Sequence, residues 1–190
     1  MESIAAKYLH RGEEICWTGQ PESFPLLGKS TKLPVLLNWC ATGVITALFL
    51  AYYFLALCRE TCSPVFVGLV LAVAATIMYA PVKKQRNLKG ARYYITNERA
   101  MVVTRDASYY CLDLKDLDHV RTIQDSEGAA CLLLGSGLAR KPEKGLDWRS
   151  QTVKPAVHTE GPWDYTESMI FFRAADLDGA MEALRCAAAS

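Results

Sequence analysis

Two long stretches of this 190-residue chain contain no charged residue, and that absence organises the rest. From Leu33 to Leu57, 25 residues pass without Asp, Glu, Lys, Arg or His (LPVLLNWCATGVITALFLAYYFLAL). From Pro64 to Val82, 19 do (PVFVGLVLAVAATIMYAPV). A helix needs roughly 20 apolar residues to cross about 30 Å of hydrocarbon. Both runs are long enough, and the segment Cys58–Ser63 between them leaves room only for a tight turn. A transmembrane helical hairpin is expected over 33–82, with spans 33–57 and 64–82. The lack of ionisable groups inside the spans argues against a proton- or ion-coupled transporter, whose pathway such groups mark.

Other absences narrow the field. There is no Asn-x-Ser/Thr acceptor, so the sequence offers no glycosylation argument. The seven cysteines (16, 40, 58, 62, 111, 131 and 186) contain no Cys-x-x-Cys pair and do not resemble a zinc or disulfide framework. Cys58 and Cys62 would form a disulfide only if their turn faced an oxidising compartment; otherwise they are free thiols. The first apolar run starts after residue 32 and is too long for a signal-peptide core, so no cleaved signal is expected. His10, His119 and His158 share no ligand spacing.

Charge is present but unevenly placed. Residues 1–32 are net neutral, residues 83–92 are net +5, and residues 93–190 are net −4. The +5 segment is a basic juxtamembrane collar of Lys83, Lys84, Arg86, Lys89 and Arg92, with no acid among them. Lys and Arg gather on cytoplasmic flanks. Both termini should therefore be cytoplasmic, in the cell (inner) membrane. The collar either only sets that orientation or also contacts anionic lipid headgroups, at roughly 1 kcal/mol per cation. The acidic domain that follows argues against nucleic acid as a partner.

Within the spans, small residues recur at four-residue steps: Gly43, Ala47 and Ala51 in the first, Gly68, Ala72, Thr76 and Ala80 in the second. Each ladder lies on one helix face, where small side chains allow close approach. The two ladders either pack on each other or mediate dimerisation. Outside the spans the apolar period changes to two. Ile15 and Trp17 mark a short strand in the 1–32 segment. After the collar, strands are expected at 91–96, 100–104, 107–114, 119–124, 129–135 and 168–173. A tight hairpin at Asn97-Glu98-Arg99 should use the tolerance of Asn for positive φ. Residues 136–166 read as a long loop with one strand near 146–153. Leu177, Met181, Leu184 and Ala188 predict a terminal helix with Asp176 as its N-cap. The expected class is α+β: the hairpin plus an antiparallel barrel or sandwich over 93–190, closed by a C-terminal helix.

Two stretches add a resemblance. Gly12-Glu13-Glu14-Ile15-Cys16-Trp17-Thr18-Gly19-Gln20-Pro21 and Tyr94-Ile95-Thr96-Asn97-Glu98-Arg99 flank the hairpin. Together they resemble the entry and hairpin motifs of the bacterial pleckstrin-homology-like (PH-like) two-span membrane proteins. The resemblance implies a PH-like domain on the cytoplasmic face and no general catalytic activity.

Chemical motifs do not assemble. Gly28-Lys29-Ser30 has Ser23 where a phosphate-binding loop requires Gly, and a membrane span follows it. His158-Thr159-Glu160 lacks the following Pro-Cys-x-x-Cys of a deaminase. The sequence thus points to a non-enzymatic interaction or assembly module, without cofactor or metal, partnered by a protein or by its own copies. The alternative is a regulator that responds to anionic lipid through the collar. A loop cluster of Arg140, Lys141, Lys144, Arg149 and Lys154 is a lesser contact candidate.

Overall fold

The computed structural model of the chain describes residues 9–57, 63–135, 146–149, 154–155 and 164–189. Residues 58–62 of the expected Cys58–Ser63 turn, with its two cysteines, lie outside them, as do His158 and most of the 136–166 loop. The chain forms two compact units: residues 25–86, and residues 1–24 joined with 87–190.

The first unit is helical. Helix α1 spans Lys32–Tyr52 and continues as a π-helical turn over Tyr53–Leu57; α2 spans Pro64–Lys89. Thr31 closes the turn that enters α1. Its Oγ1 accepts the Gly28 N–H at 2.9 Å and donates to the Leu26 carbonyl at 3.0 Å. Gly28-Lys29-Ser30 is therefore a helix lead-in. Both helices are long and apolar enough to cross a membrane, with only 6% of each apolar window buried. Leu37, Ile45, Leu48, Leu55, Val65 and Leu69 are all more than half exposed. Soluble proteins bury such surface, so its exposure points to a membrane location. At 1.5 Å per residue the 26-residue α2 is about 39 Å long, longer than the hydrocarbon core. Pro81 has no N–H for the Ile77 carbonyl, and the Trp39 indole donates to the adjacent Met78 carbonyl at 2.9 Å. At the other end Tyr53 and Phe49 pack on Phe66, with ring centroids 4.6 and 6.0 Å apart.

The second unit is α+β. Its strands are β1 (Ile15–Gly19), β2 (Arg92–Thr96), β3 (Arg99–Val103), β4 (Tyr109–Asp113), β5 (Val120–Gln124), β6 (Ala130–Leu134), β7 (Lys154–Pro155) and β8 (Asp164–Phe171). Helix α3 (Leu177–Ala189) ends the described chain. β1–β4 and β5-β6-β8 are antiparallel sheets. The start of β8 also pairs in parallel with β4, giving one path β1-β2-β3-β4-β8-β6-β5. Among the described residues no pairing joins β1 to β5, so the expected barrel is not closed. An alternating pattern specifies which face is buried, but not whether edge strands meet.

Residues 1–32 were expected as a segment apart from the domain at 93–190; β1 instead joins β2, with Thr18 opposite Tyr94 and Gly19 opposite Tyr93. The helical hairpin is thus an insertion between two neighbouring strands. The core stacks Trp17 on Phe171 (6.0 Å) and Phe171 on Tyr93 (4.7 Å). Leu177, Ala180, Met181 and Leu184 of α3 cover it at helical spacing. The predicted cap is present: Asp176 Oδ1 accepts the Gly179 N–H at 2.9 Å.

Gly19 is fixed by this core. A Cβ there would lie 2.1 Å from the Trp17 ring, which Phe171 and a 3.1 Å bond from its indole to Asp176 hold in place. Gly19→Ala should cost about 1–3 kcal/mol through that displacement. A lowered thermal midpoint with blue-shifted tryptophan emission lost would show it; an unchanged melt would refute it.

Candidate functional site

The most buried polar feature links the two sides of the inserted hairpin. Glu13 and Arg99 have fully buried side chains. Arg99 donates through Nε to Glu13 Oε1 at 2.9 Å and through Nη2 to Oε2 at 2.8 Å, a bidentate pair. Thr96 Oγ1 donates to Glu13 Oε1 at 2.7 Å and accepts the Arg99 N–H at 3.0 Å. The His10 N–H donates to Oε2 at 2.7 Å. Burial pushes the Glu13 carboxyl up, but the bonds from Arg99, His10 and Thr96 outweigh it and hold its pKa below the ordinary carboxylate value. Asn97 does not adopt the expected positive φ; among the described non-glycine residues that conformation occurs at Ala107 and Arg173. Asn97 instead exchanges bonds with Glu14, Oδ1 accepting its N–H at 3.0 Å and its own N–H reaching the Glu14 carbonyl at 3.1 Å.

His10, Glu13 and Glu98 bring ligand-type atoms within 4.8 Å of one another. Glu13 is already committed to Arg99, Thr96 and the His10 backbone N–H, and the His10 Nδ1 faces Glu98 at 3.4 Å. Nearby, burial raises the Cys111 thiol pKa. Burial likewise pushes Cys131 up to about 11. Neither offers a thiolate nucleophile at neutral pH.

A second ionic cluster clasps the end of β8. Arg173 Nε donates to Asp125 Oδ2 and Nη2 to Glu127 Oε2, both at 2.6 Å. Asp125 Oδ1 also accepts the N–H groups of Glu127 and Ala129, which forms the β5–β6 turn. The Arg173 carbonyl accepts the Glu22 N–H at 2.7 Å, and the Gln20 carbonyl accepts the Ala175 N–H at 3.1 Å. Residues 20–24 are thereby strapped to the β8–α3 junction, with Phe24 edge-on to Phe172 at 5.1 Å.

A cleft of about 780 Å³ opens among β1, β2, the β3–β4 turn and the start of α3. Arg92 and Arg105 line it, over Ile15, Tyr94 and Val103. Arg92 Nη1 donates to Gln20 Oε1 at 2.5 Å. Asp106, next to Arg105, is engaged elsewhere: it accepts from Thr104 Oγ1 and from Asn87 Nδ2 at 2.8 Å. The Thr104 hydroxyl holds its carboxyl below the ordinary range.

All five collar cations are exposed. Lys83, Lys84, Arg86 and Lys89 occupy the last two turns of α2, where the helix dipole favours cations. At 100° per residue they spread around the axis rather than forming one face. Arg86 donates to the Tyr79 hydroxyl at 3.3 Å, and Lys89 Nζ lies 5.7 Å from the Phe24 ring centroid. Arg92 stands apart, as the first residue of β2. The ladder residues Gly43, Ala47, Ala51, Gly68, Ala72 and Thr76 are exposed, and a Cβ on either glycine would meet nothing within 4 Å. The half-buried positions in the middle of the two helices and the π-helical turn include Trp39, Thr42, Thr46, Leu50 and Tyr53 on one side, and Phe66, Val67, Val70 and Ala74 on the other. Arg140, Lys141 and Lys144 lie outside the described residues; Arg149 is exposed.

Glu13 and Arg99 both fall within the stretches that carry the family resemblance, yet sequence reading did not pair them. Arg105 had no signal beyond a charged turn. No protein-family model, curated protein or solved structure matches this chain.

Proposed function

We propose that this chain is a non-enzymatic interaction or assembly module: a helical hairpin in the cell (inner) membrane displaying a PH-like domain to the cytoplasm. The observation that carries the reading is the β1–β2 ladder. The strands flanking the hairpin pair antiparallel, with one register shift between Ile15 and Trp17, so both flanks lie on one side of any bilayer the hairpin crosses. The excess of Lys and Arg over the last two turns of α2 and at the start of β2 supports the cytoplasmic side. The PH-like assignment rests on the two flanking stretches, the serial strands and the terminal helix, and a protein or a second copy is the expected partner. The strapping of residues 20–24 and the buried ion pair suit a rigid display platform.

The second reading is an anionic-lipid-responsive regulator, favoured by the exposure of all five collar cations. Purification in lipid nanodiscs directly from native membranes, followed by mass spectrometry, separates the two. A stoichiometric protein that survives replacement of the five collar cations by glutamine, with topology verified, supports the interaction module. One enriched anionic lipid, no protein partner, and loss of that lipid in the collar variant would overturn it in favour of the second reading.

A further inference from the structure

We propose that the cleft among β1, β2, the β3–β4 turn and α3 binds a phosphate-bearing group, with Arg92 and Arg105 as its cationic donors. The site extends the second reading above, and it stands or falls separately because Arg105 lies outside the collar.

Charge complementarity carries the assignment. Two guanidinium groups line one cleft, and among the described residues neither forms an ion pair. Asp106 is bound to Thr104 and Asn87. Asp176, the acid on the cleft wall, has both oxygens engaged, Oδ2 by the Trp17 indole and Oδ1 by the Gly179 N–H. Both carboxylates keep their negative charge, so the lining itself, two guanidinium groups against the Asp176 carboxylate, carries a surplus of one positive charge. Guanidinium forks match phosphate oxygens in geometry as well as charge. The apolar floor of Tyr94 and Val103 gives the organic part of a phosphoester a surface that inorganic phosphate would not use.

The cleft is also built to hold Arg105 in place. The stem of Arg105 lies against Gly90; a Cβ on Gly90 would approach Arg105 Cβ to 2.9 Å and Cδ to 3.1 Å. The backbone of Arg105 is tied to the Asn87 carbonyl. Gly90 thus lets the arginine lie along the cleft wall, and any side chain there displaces it without changing the charge.

The test uses the full chain in phosphatidylcholine nanodiscs. One arm titrates sn-glycerol 3-phosphate by calorimetry. The other adds phosphatidic acid to the nanodisc and reads retained lipid by native mass spectrometry. Binding is expected in at least one arm: saturation by the soluble phosphoester identifies a free ligand, and retention of phosphatidic acid alone identifies a lipid headgroup. Arg105→Gln should weaken binding about tenfold, the weight of a charge-assisted contact. Gly90→Ala should weaken it with every charge kept, Arg105→Lys should lose part of it, and Lys115→Gln, away from the cleft, should leave it unchanged. Thermal melts confirm that each variant is folded. Absence of binding in both arms overturns the proposal. So does binding that ignores Arg105→Gln and Gly90→Ala while disappearing when Lys83, Lys84, Arg86 and Lys89 become glutamine; that result would leave the collar reading intact.

Discussion

Arg99→Met should destabilise the strand unit by about 3–5 kcal/mol, the usual consequence of leaving one partner of a buried ion pair behind. Glu13 would keep the Thr96 hydroxyl and the His10 N–H but lose two charge-assisted bonds in a site with no solvent exposure. The double variant Glu13→Leu/Arg99→Met should recover most of the loss, because it removes the stranded charge together with its partner. The pH dependence has a fixed sign. The folded pKa of Glu13 lies below its ordinary value of 4.5. The stabilisation from this group is therefore complete above that value and is lost as pH falls through the lower folded pKa. In Arg99→Met, burial without the guanidinium pushes the carboxyl up, so the deficit relative to the parent is largest near neutrality and shrinks on acidification. Thermal melts of the nanodisc-embedded chain between pH 3.5 and 7.5 read both effects. Equal midpoints for parent and Arg99→Met at neutral pH would refute this stabilising role of the Glu13–Arg99 pair.

Residues 87–190 expressed alone should fail to fold, while residues 9–24 joined to 87–190 by a flexible linker should fold and melt cooperatively. The fragment lacks β1, so β2 loses its ladder neighbour and Trp17 leaves Phe171 uncovered. It also lacks Glu13, which strands the buried Arg99, and residues 20–24, which close the β8–α3 junction. Each loss is worth about 1–5 kcal/mol, against a total stability of roughly 5–15 kcal/mol for a domain. Far-ultraviolet circular dichroism and amide exchange distinguish the outcomes. A cooperative transition in the 87–190 fragment would show that β1 is an accessory strand rather than part of the folding unit.

The local features of this protein are legible because they depend on near neighbours. The two uncharged runs specify helices long enough to cross a membrane, since length and hydropathy alone set that property. The aromatic and β-branched runs around Tyr93, Ile95 and Val102 mark strands. Asp176 marks the start of α3, because a cap needs only the N–H groups two or three residues ahead. The sequence also placed the collar cations next to the second apolar run, and their exposure agrees with the charge pattern.

The tertiary structure decided everything that joins distant positions. Glu13 and Arg99 are 86 residues apart, and nothing local requires either to seek the other. The pairing of β1 with β2 makes a neighbour of each from the two ends of a 62-residue helical insertion, residues 25–86. The small-residue ladders show the limit from the other side: four-residue spacing put them on one face of each helix, but the spacing does not say which face turns inward, and both ladders are exposed. Arg105 enters the cleft because the β3–β4 turn folds back over Gly90. A sequence period fixes which side chains share a surface; only the closing of the chain on itself fixes what that surface meets.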